Sequence, residues 1–305
     1  MYPLDAPYFK NAEAARKHLE AIRWPDGPIC PHCGSIENIK RLKGKAHRKG
    51  LLKCYECERQ FSVTVGTVFE RSKIPLHKWF IATYLLCSSK KGISSHQLHR
   101  MLGVTYKTAW FMTHRIREAM RTGALAPMGG AGSTVEVDET FIGRDKDIPK
   151  KRGYRHKLKV LTLLERGGET RSYVVAHTDA ATLVPVLREN IDRESRIHTD
   201  EAGQYYYLYR DFAEHHVVRH NAGEYGRGTI HTNTVEGFYS IFKRGMKGVY
   251  QHCGKRHLHR YTAEFDFRYN HREVTDSERT MAALKGIEGK RLTYQQPSGA
   301  AAQVH

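Results

Sequence analysis

The sequence predicts a mixed α/β protein in which a cysteine-containing ribbon and a pair of helices precede a larger domain with a mixed sheet. Three observations support this. Two CxxC pairs lie near the N-terminus, a helix, a glycine turn and a second helix are indicated next, and beyond residue 133 three strands are followed by alternating helices and strands. That last order is typical of a mixed sheet covered on both sides. The expected divisions are the ribbon segment (1–66), the helix pair (67–122), a linker (123–133), the larger domain (134–275) and a C-terminal tail (276–305).

The charge of the chain is strongly positive and unevenly distributed. The sequence has 50 Lys and Arg against 32 Asp and Glu, a formal charge of +18, and a pI near 9.6. Residues 1–130 hold 22 basic and 9 acidic side chains, whereas residues 131–305 hold 28 and 23. An excess this large indicates a polyanionic partner, either nucleic acid or an anionic membrane surface. The first 130 residues are the expected contact region, because charge per domain matters more than the total.

The sequence contains no segment that predicts a membrane span. Its longest apolar stretch, 79–87, is about half of the ~20 residues that a transmembrane helix needs. The N-terminal segment is polar and lacks the apolar core of a signal peptide. We therefore expect a cytoplasmic, nucleoid-associated protein. Since disulfides are rare in the cytosol, the six cysteines need another explanation.

Four of these cysteines have the spacing of a structural zinc site. Cys30 and Cys33 form one CxxC pair, Cys54 and Cys57 form another, and 20 residues separate the pairs. Each CxxC places two thiolates on one tight turn, and two such turns complete the tetrahedron of a structural Zn²⁺ site. A ribbon of this size has almost no core, so the metal would supply most of its folding free energy. His32 is an alternative ligand, but four thiolates already fill the shell.

A helix at 75–87 and a helix-turn-helix are predicted after the ribbon. Ser94 or Ser95 can cap the first helix of the pair, Gly103 makes the turn, and Thr105 caps the second helix. An ordinary αα-hairpin has the same periodicity and is the alternative.

If this pair binds DNA, its second helix enters the major groove with its N-terminal residues on the base edges. The residues expected there are Thr105, Tyr106 and Lys107. Arg115 and Arg117, further along the helix, are expected to point to backbone phosphates. The strongly basic surroundings favour DNA binding over a plain hairpin.

The larger domain follows a linker rich in glycine and alanine. Alternation of apolar and polar residues predicts a half-buried first strand, and Gly167 lies in a hairpin turn between the second and third. The first and fourth strands are natural neighbours in a sheet of this order. The predicted strands are Thr134–Ile142, 159–165, 172–177, Arg196–Asp200 and 215–218, and the predicted helices are 180–191, 205–209 and 232–246.

Three acidic residues of this domain are expected to converge. Asp138 lies mid-way along the first strand, Asp200 ends the fourth, and Glu236 lies on the last helix. Three converging carboxylates cannot all ionise without a cation, and hard oxygen ligands favour Mg²⁺ or Mn²⁺. Two such ions form a clamp for in-line phosphoryl transfer. Glu136 shares a strand face with Asp138 and is the strongest alternative metal ligand, whereas Glu139 and Glu201 are not expected to bind the metal.

The last helix presents further polar residues on the same face as Glu236. Asn233, Ser240 and Lys243 recur at intervals of three and four residues with it. The segment 243–260 has six basic residues and no acidic ones. We expect it to hold a DNA backbone near the metals, with Arg244 and Lys247 among the contacts.

The motifs together resemble a known family. The ribbon CPHCGS with LLKCYECERQFSVTVGTVFERSKIPLHKWF, the strands VEVDETFIG and IHTDEA, the helix HTNTVEGFYSIFKRGMKGVY and the segment HLHRYTAEFDFRYNHR are similar to the zinc-ribbon DDE transposases of bacterial insertion sequences, in the ISXO2-like group. The resemblance covers roughly residues 15–275. It implies an RNase H-like catalytic domain and Mg²⁺-dependent transposition, cut-and-paste or replicative, at the terminal inverted repeats. We expect double-stranded DNA ends and target as partners and a homo-oligomer on the paired ends.

The resemblance also implies roles for individual residues. Asp138 matches the first family aspartate, Asp200 the second and Lys243 the family lysine. Members carry Glu, Asn or His at the third position, where both Asn233 and Glu236 fall in the motif. Glu236 is the better Mg²⁺ ligand because Asn carries no charge, and Asn233 is its rival. Two other functions stay open: an RNase H-like nuclease or resolvase without strand transfer, and a zinc-dependent DNA-binding regulator.

Overall fold

The computed structural model describes residues 3–123, 125–150, 152–223 and 226–293, which fall into two compact units. The first unit comprises the described parts of 1–88, 94–120 and 275–305, and the second those of 89–93 and 121–274. The helices are α1 (Pro7–Lys10), α2 (Ala12–Arg23), α3 (Leu76–Ser88), α4 (Ser95–Leu102), α5 (Tyr106–Met120), α6 (Ala180–Asn190), α7 (Asn233–Gly245), α8 (Leu258–Asn270) and α9 (Asp276–Lys285). The strands are β1 (Ile39–Arg41), β2 (Leu52–Cys54), β3 (Gln60–Phe61), β4 (Thr134–Ile142), β5 (Leu158–Glu165), β6 (Thr170–Val175), β7 (Arg196–Asp200) and β8 (Glu214–Val218).

The first unit begins with α1 and α2 and continues into a small antiparallel sheet. The Asn11 side chain accepts hydrogen bonds from the backbone N–H groups of Glu13 and Ala14, which caps the start of α2. The sheet has the order β1-β2-β3. Leu52 and Phe61 lie opposite each other in it and are buried. This sheet is the frame from which the two cysteine pairs project.

Helices α4 and α5 form at the predicted positions with the predicted caps. The Ser94 hydroxyl accepts from the backbone N–H of Gln97 at 3.1 Å, and the Thr105 hydroxyl accepts from that of Thr108 at 3.2 Å. Gly103 ends α4 in the left-handed region, at φ 58° and ψ 46°, which favours glycine. This local geometry is common to αα-hairpins and to DNA-binding helix-turn-helix motifs.

The predicted C-terminal tail contains a helix. Thr275 and Glu278 form a capping box at the start of α9. The Arg279 guanidinium donates to the carbonyl of Cys87 at 3.1 Å, and Ala283 and Leu284 are buried. The structure thus replaces the predicted tail with a packed helix here, because a ten-residue helix with few apolar positions has only a weak sequence signal. Residues 294–305 lie outside the described residues.

The second unit is built on a five-stranded mixed sheet with the order β6-β5-β4-β7-β8. Strands β4, β5 and β6 pair antiparallel, whereas β4 with β7 and β7 with β8 pair parallel. The prediction that the first and fourth strands of this domain are neighbours is therefore confirmed. The mixed α/β architecture is consistent with the RNase H-like fold that the resemblance implies.

Helices cover both faces of this sheet, as the sequence predicted. On one face Leu183 and Leu187 of α6 pack with Val137 and Ile197. On the other face α7 and α8 supply a second apolar cluster, which comprises Val235, Phe238, Phe242, Leu258 and Phe265 with Val160 and Leu164 of β5. Segment 205–209, predicted as one helix, instead contributes to two short 3₁₀ helices, Gly203–Tyr205 and Leu208–Arg210. Within the described ranges, no helix combines the length and the apolar character that crossing a membrane requires.

Candidate functional site

The four paired cysteines of the first unit converge on one point. Their Sγ atoms all lie within 4.8 Å of one another. Cys30 and Cys57 are 3.7 Å apart, as are Cys33 and Cys54, so each contact joins one pair to the other. This is the arrangement of ligands around a tetrahedral ion, and the soft sulfur donors fit Zn²⁺. The cysteines are therefore positioned for a structural zinc ion.

The local backbone explains how the first pair reaches this geometry. The N–H of Gly34 donates to the carbonyl of Cys30 at 2.9 Å and closes the knuckle, with Gly34 at φ 77°. Only glycine adopts this conformation without strain. His32 is exposed and its ring lies edge-on to Phe61, outside the group of four.

In the second unit, the sheet brings Asp138 and Asp200 to the same face. Glu136 of β4 is paired with His198 of β7 in parallel register, and each aspartate lies two residues further along its strand. Because side chains alternate along a strand, both aspartates share the face of that pair. Burial, together with the charges of Glu139, Asp200 and Glu236, raises the pKa of Asp138 to about 8. Those three carboxylates therefore lie within electrostatic reach of Asp138.

The carboxylate oxygens are not drawn into a tight cluster. Among the described residues, only the four cysteines form a group of three or more His, Cys, Asp or Glu side chains whose ligand atoms all lie within 4.8 Å of one another. Glu236 instead accepts a hydrogen bond from the Thr232 hydroxyl at 2.9 Å and lies 3.5 Å from Nε2 of His220. Burial also raises the pKa of Asp200. Like charges in a partly buried site repel, which disfavours a tight cluster of ionised carboxylates.

Comparisons with known proteins bear on both units. Residues 129–270 match an ISXO2-like transposase domain, and residues 10–60 match a transposase zinc-ribbon domain. A Halobacterium salinarum protein, named as an uncharacterized protein in transposable element ISH50, is 30% identical over 278 residues, which cover 85% of this chain and 91% of the relative. The chain belongs to the ISXO2-like transposase family. A Haemophilus influenzae transposase-like protein is 26% identical over 101 residues, 33% of this chain and 80% of the relative.

In this transposase, Glu136 ties the sheet to the start of α7. Its carboxylate is fully buried and accepts from the backbone N–H groups of Thr234 and Val235, both at 2.9 Å. It also accepts from Nε of Arg166 at 2.6 Å, and Arg166 in turn donates to the carbonyl of His231. These hydrogen bonds engage the carboxylate of Glu136, which was the alternative to the predicted metal ligands. The carboxylate is instead the partner of the N-terminus of α7.

Helix α7 of the transposase divides into a buried and an exposed face. Val235, Phe238 and Phe242 face the sheet, whereas Asn233, Glu236 and Arg244 are exposed and Lys243 is half-buried. Lys247, just beyond the helix, is also exposed. The face predicted from spacing is thus formed.

One hydrogen bond joins α7 to the backbone of Asp138. The Tyr239 hydroxyl donates to the Asp138 carbonyl at 2.6 Å. Nζ of Lys243 lies 5.7 Å from the centre of the Tyr239 ring. The helix that carries Glu236 and Lys243 is therefore anchored to the strand that carries Asp138.

The structure assigns contacts to acids that the sequence set aside. Glu139 accepts from the Gln204 amide at 3.0 Å, and burial raises its pKa to about 6. Glu201 accepts from the backbone N–H groups of His220 and Asn221, which holds the loop that faces Glu236. The sequence did not predict that Glu136 and Arg166 are positioning residues. The signal that could have indicated the role of Glu136 was an acidic residue on the inward face of a central strand.

In the first unit the start of α5 is accessible. Thr105, Tyr106 and Lys107, the residues predicted to contact DNA, are exposed. A pocket of about 310 Å³ adjoins Lys107. Its lining includes Arg71, Lys73, Lys107, Trp79 and Phe111.

Arg115 and Arg117 do not point outward, and this corrects the prediction of phosphate contacts. Arg115 is 7% exposed and donates to the carbonyls of Glu70 and Leu292. Arg117 is 1% exposed and donates to the Thr113 hydroxyl. Their guanidinium groups satisfy buried acceptors within the first unit, where they stabilise packing.

Proposed function

We propose that this transposase binds the terminal inverted repeats of its insertion sequence and carries out metal-dependent DNA cleavage and strand transfer. Asp138, Asp200 and Glu236 would hold two Mg²⁺ or Mn²⁺ ions. The observation that carries the proposal is the parallel pairing of β4 with β7, with both aspartates on the face that α7 covers.

The donor set fits divalent cations. Carboxylate oxygens are the ligands that Mg²⁺ and Mn²⁺ prefer. The raised pKa values of Asp138 and Asp200 indicate a site that disfavours negative charge on its own. A bound cation would reverse this by stabilising the ionised carboxylates. Bound there, such ions would supply activation of a water or a 3′-hydroxyl and stabilisation of the leaving 3′-oxygen.

The rest of the site would position these acids and the DNA. Glu136, Arg166 and Tyr239 hold α7 against the sheet, which orients Glu236 and Lys243. Lys243 would contact a phosphate of the scissile strand, and the exposed Arg244 and Lys247 would hold the flanking backbone. Glu236 takes the third ligand position in this proposal because its charge acts on Asp138, whereas Asn233 is neutral.

The first unit would locate the end of the element. The exposed start of α5 presents Thr105, Tyr106 and Lys107, and basic side chains line the neighbouring pocket. This combination suits a helix-turn-helix that reads base edges and contacts phosphates. Zinc would act there as a structural ion that stabilises the ribbon. Double-stranded DNA would be the partner, and a homo-oligomer of the chain would act on the paired ends.

Cleavage assays on carboxylate variants test this proposal. Asp138→Asn, Asp200→Asn and Glu236→Gln should each abolish Mg²⁺-dependent cleavage of duplexes that carry the inverted repeat, while binding is retained. Glu194→Gln is the matched control, since Glu194 is an exposed acid of the same unit. Normal cleavage by all three variants would refute the assignment of the site.

A second assay separates strand transfer from cleavage alone. The wild-type protein is incubated with donor ends and a circular target DNA, and joined products are sought by primer extension across the junction. Joined products support the transposase reaction. Cleaved ends without joined products indicate a nuclease or resolvase, and binding without cleavage indicates a regulator.

A further inference from the structure

Three exposed tyrosines lie close together in the segment that follows β7. Tyr206, Tyr207 and Tyr209 are 68%, 58% and 55% exposed. The ring centroids of Tyr206 and Tyr207 are 4.9 Å apart, and those of Tyr207 and Tyr209 are 6.5 Å apart. We name these three residues the tyrosine cluster. Single exposed aromatic residues are ordinary, but a contiguous group of three indicates a contact surface.

The hydrophobic core does not need the tyrosine cluster. The same segment is anchored by Tyr205, Leu208 and Phe212, which are 1%, 1% and 6% exposed and belong to the apolar cluster under α6. These inward residues recur at intervals of three and four. The exposed tyrosines occupy the outward positions, where a polar side chain would serve folding equally well.

A cation lies on the tyrosine cluster. The Arg210 guanidinium is 4.5 Å from the centre of the Tyr207 ring and 5.5 Å from that of Tyr209. The neighbouring Asp211 accepts two hydrogen bonds from Arg188, at 2.9 and 3.0 Å. The charge next to the rings is therefore positive, and it complements a phosphate backbone.

The tyrosine cluster directly follows Gln204 and Tyr205, and Tyr205 lies within electrostatic reach of Asp138 and Asp200. Gln204 donates to the Glu139 carboxylate at 3.0 Å, and burial together with the charges of Glu139, Asp138 and Asp200 raises the pKa of the Tyr205 hydroxyl. The first exposed ring, Tyr206, follows directly. A DNA strand held at the carboxylates would therefore pass within reach of these rings.

We propose that the tyrosine cluster and Arg210 stack on unpaired bases of the DNA strand at the catalytic site. This inference rests on the proposed function and adds that the catalytic site binds DNA whose bases are unpaired. In a duplex each base face is covered by its neighbours, so an aromatic side chain can stack only on bases that are frayed, flipped or single-stranded. Stacking of this kind tolerates any base, because every base has a π-face.

The experiment uses the full chain without Mg²⁺ and a single-stranded oligonucleotide about 12 nucleotides long that contains 2-aminopurine. Quenching of its fluorescence reports stacking, and fluorescence anisotropy reports binding of the oligonucleotide and of its fully paired duplex. The triple variant Tyr206→Ala, Tyr207→Ala, Tyr209→Ala should lose most of the quenching. It should bind the single strand ~10-fold or more weakly, because each stacked base accounts for about five-fold or more. Duplex binding should change by less than about two-fold, since paired bases cannot stack on the cluster.

Two controls make the result specific. The triple variant Tyr206→Phe, Tyr207→Phe, Tyr209→Phe should retain the quenching, because the rings and not the hydroxyls stack. Tyr55→Ala should leave it unchanged, since Tyr55 is an exposed tyrosine with Lys53 4.7 Å from its ring but lies in the first unit. Unchanged quenching in the alanine variant, or equal loss in Tyr55→Ala, overturns the inference. The signal needs no cleavage, so its failure is distinct from failure of the carboxylate variants.

Discussion

The N–H of Val235 donates a hydrogen bond of 2.9 Å to the carboxylate of Glu136, which joins the central strand β4 to the first turn of α7. Glu136 is fully buried, and Arg166 supplies the opposite charge. A helix N-terminus carries unpaired N–H groups and a partial positive charge, so a buried carboxylate is a suitable partner. The position of Glu236 on α7 therefore depends on an acid that binds no metal in the proposed mechanism.

Glu136→Ala should destabilise the second unit strongly. The substitution leaves the Arg166 guanidinium and two backbone N–H groups without their buried acceptor, and the expected cost is about 3–5 kcal/mol. Glu136→Gln keeps one acceptor oxygen and should cost less. Urea unfolding followed by circular dichroism measures both, with Glu194→Gln as an exposed control. An alanine variant as stable as the wild type would mean that this contact does not hold α7.

The sequence predicted the acids on β4 and β7 because strand order and alternation determine which strands are neighbours and which face a side chain takes. It could not predict the contacts of Glu136, since a strand pattern gives the face but not the helix end that lies over it. The burial of Arg115 was missed for a similar reason. Its acceptors belong to Glu70 and Leu292, which lie 45 and 177 residues away in the chain.

Loss of one thiolate should abolish metal binding by the ribbon. Cys54→Ser removes one of four converging ligands, and a segment with so small a core depends on the ion for its fold. We expect bound zinc, measured by atomic absorption, to fall from one per chain to near zero, and proteolysis between residues 30 and 57 to accelerate. Cys253→Ser is the control, because Cys253 lies outside the cluster. Full zinc content in Cys54→Ser would contradict the four-thiolate site.

Asp266 should make the stability of the second unit depend on pH. Burial raises its pKa to about 7, against an ordinary value near 3.8, although Ser172 donates to it. Between these two values the folded state binds a proton that the unfolded state has released. The stability that protonated Asp266 contributes is complete below about pH 4 and is lost as the pH rises to about 7.

Asp266→Asn should remove this dependence, because the amide stays neutral throughout. Urea unfolding at several pH values between 4 and 8 measures the slope of stability against pH in both proteins. The variant should lose less stability than the wild type over this range. Equal slopes would show that Asp266 does not titrate with a raised pKa.

Lys107 and Arg117 lie on the same helix, but their alanine variants should show defects in different assays. Lys107 is exposed at the start of α5, so Lys107→Ala should weaken DNA binding at low salt and reduce the slope of log affinity against log salt by about 1. Arg117 is buried and donates to Thr113, so Arg117→Ala should cost about 1.5–3 kcal/mol of stability and leave the salt slope unchanged. Salt titrations of DNA binding and urea unfolding, applied to both variants, separate these effects. A reduced salt slope in Arg117→Ala would mean that this arginine contacts phosphate after all, and an unchanged slope in Lys107→Ala would remove the start of α5 from the DNA interface.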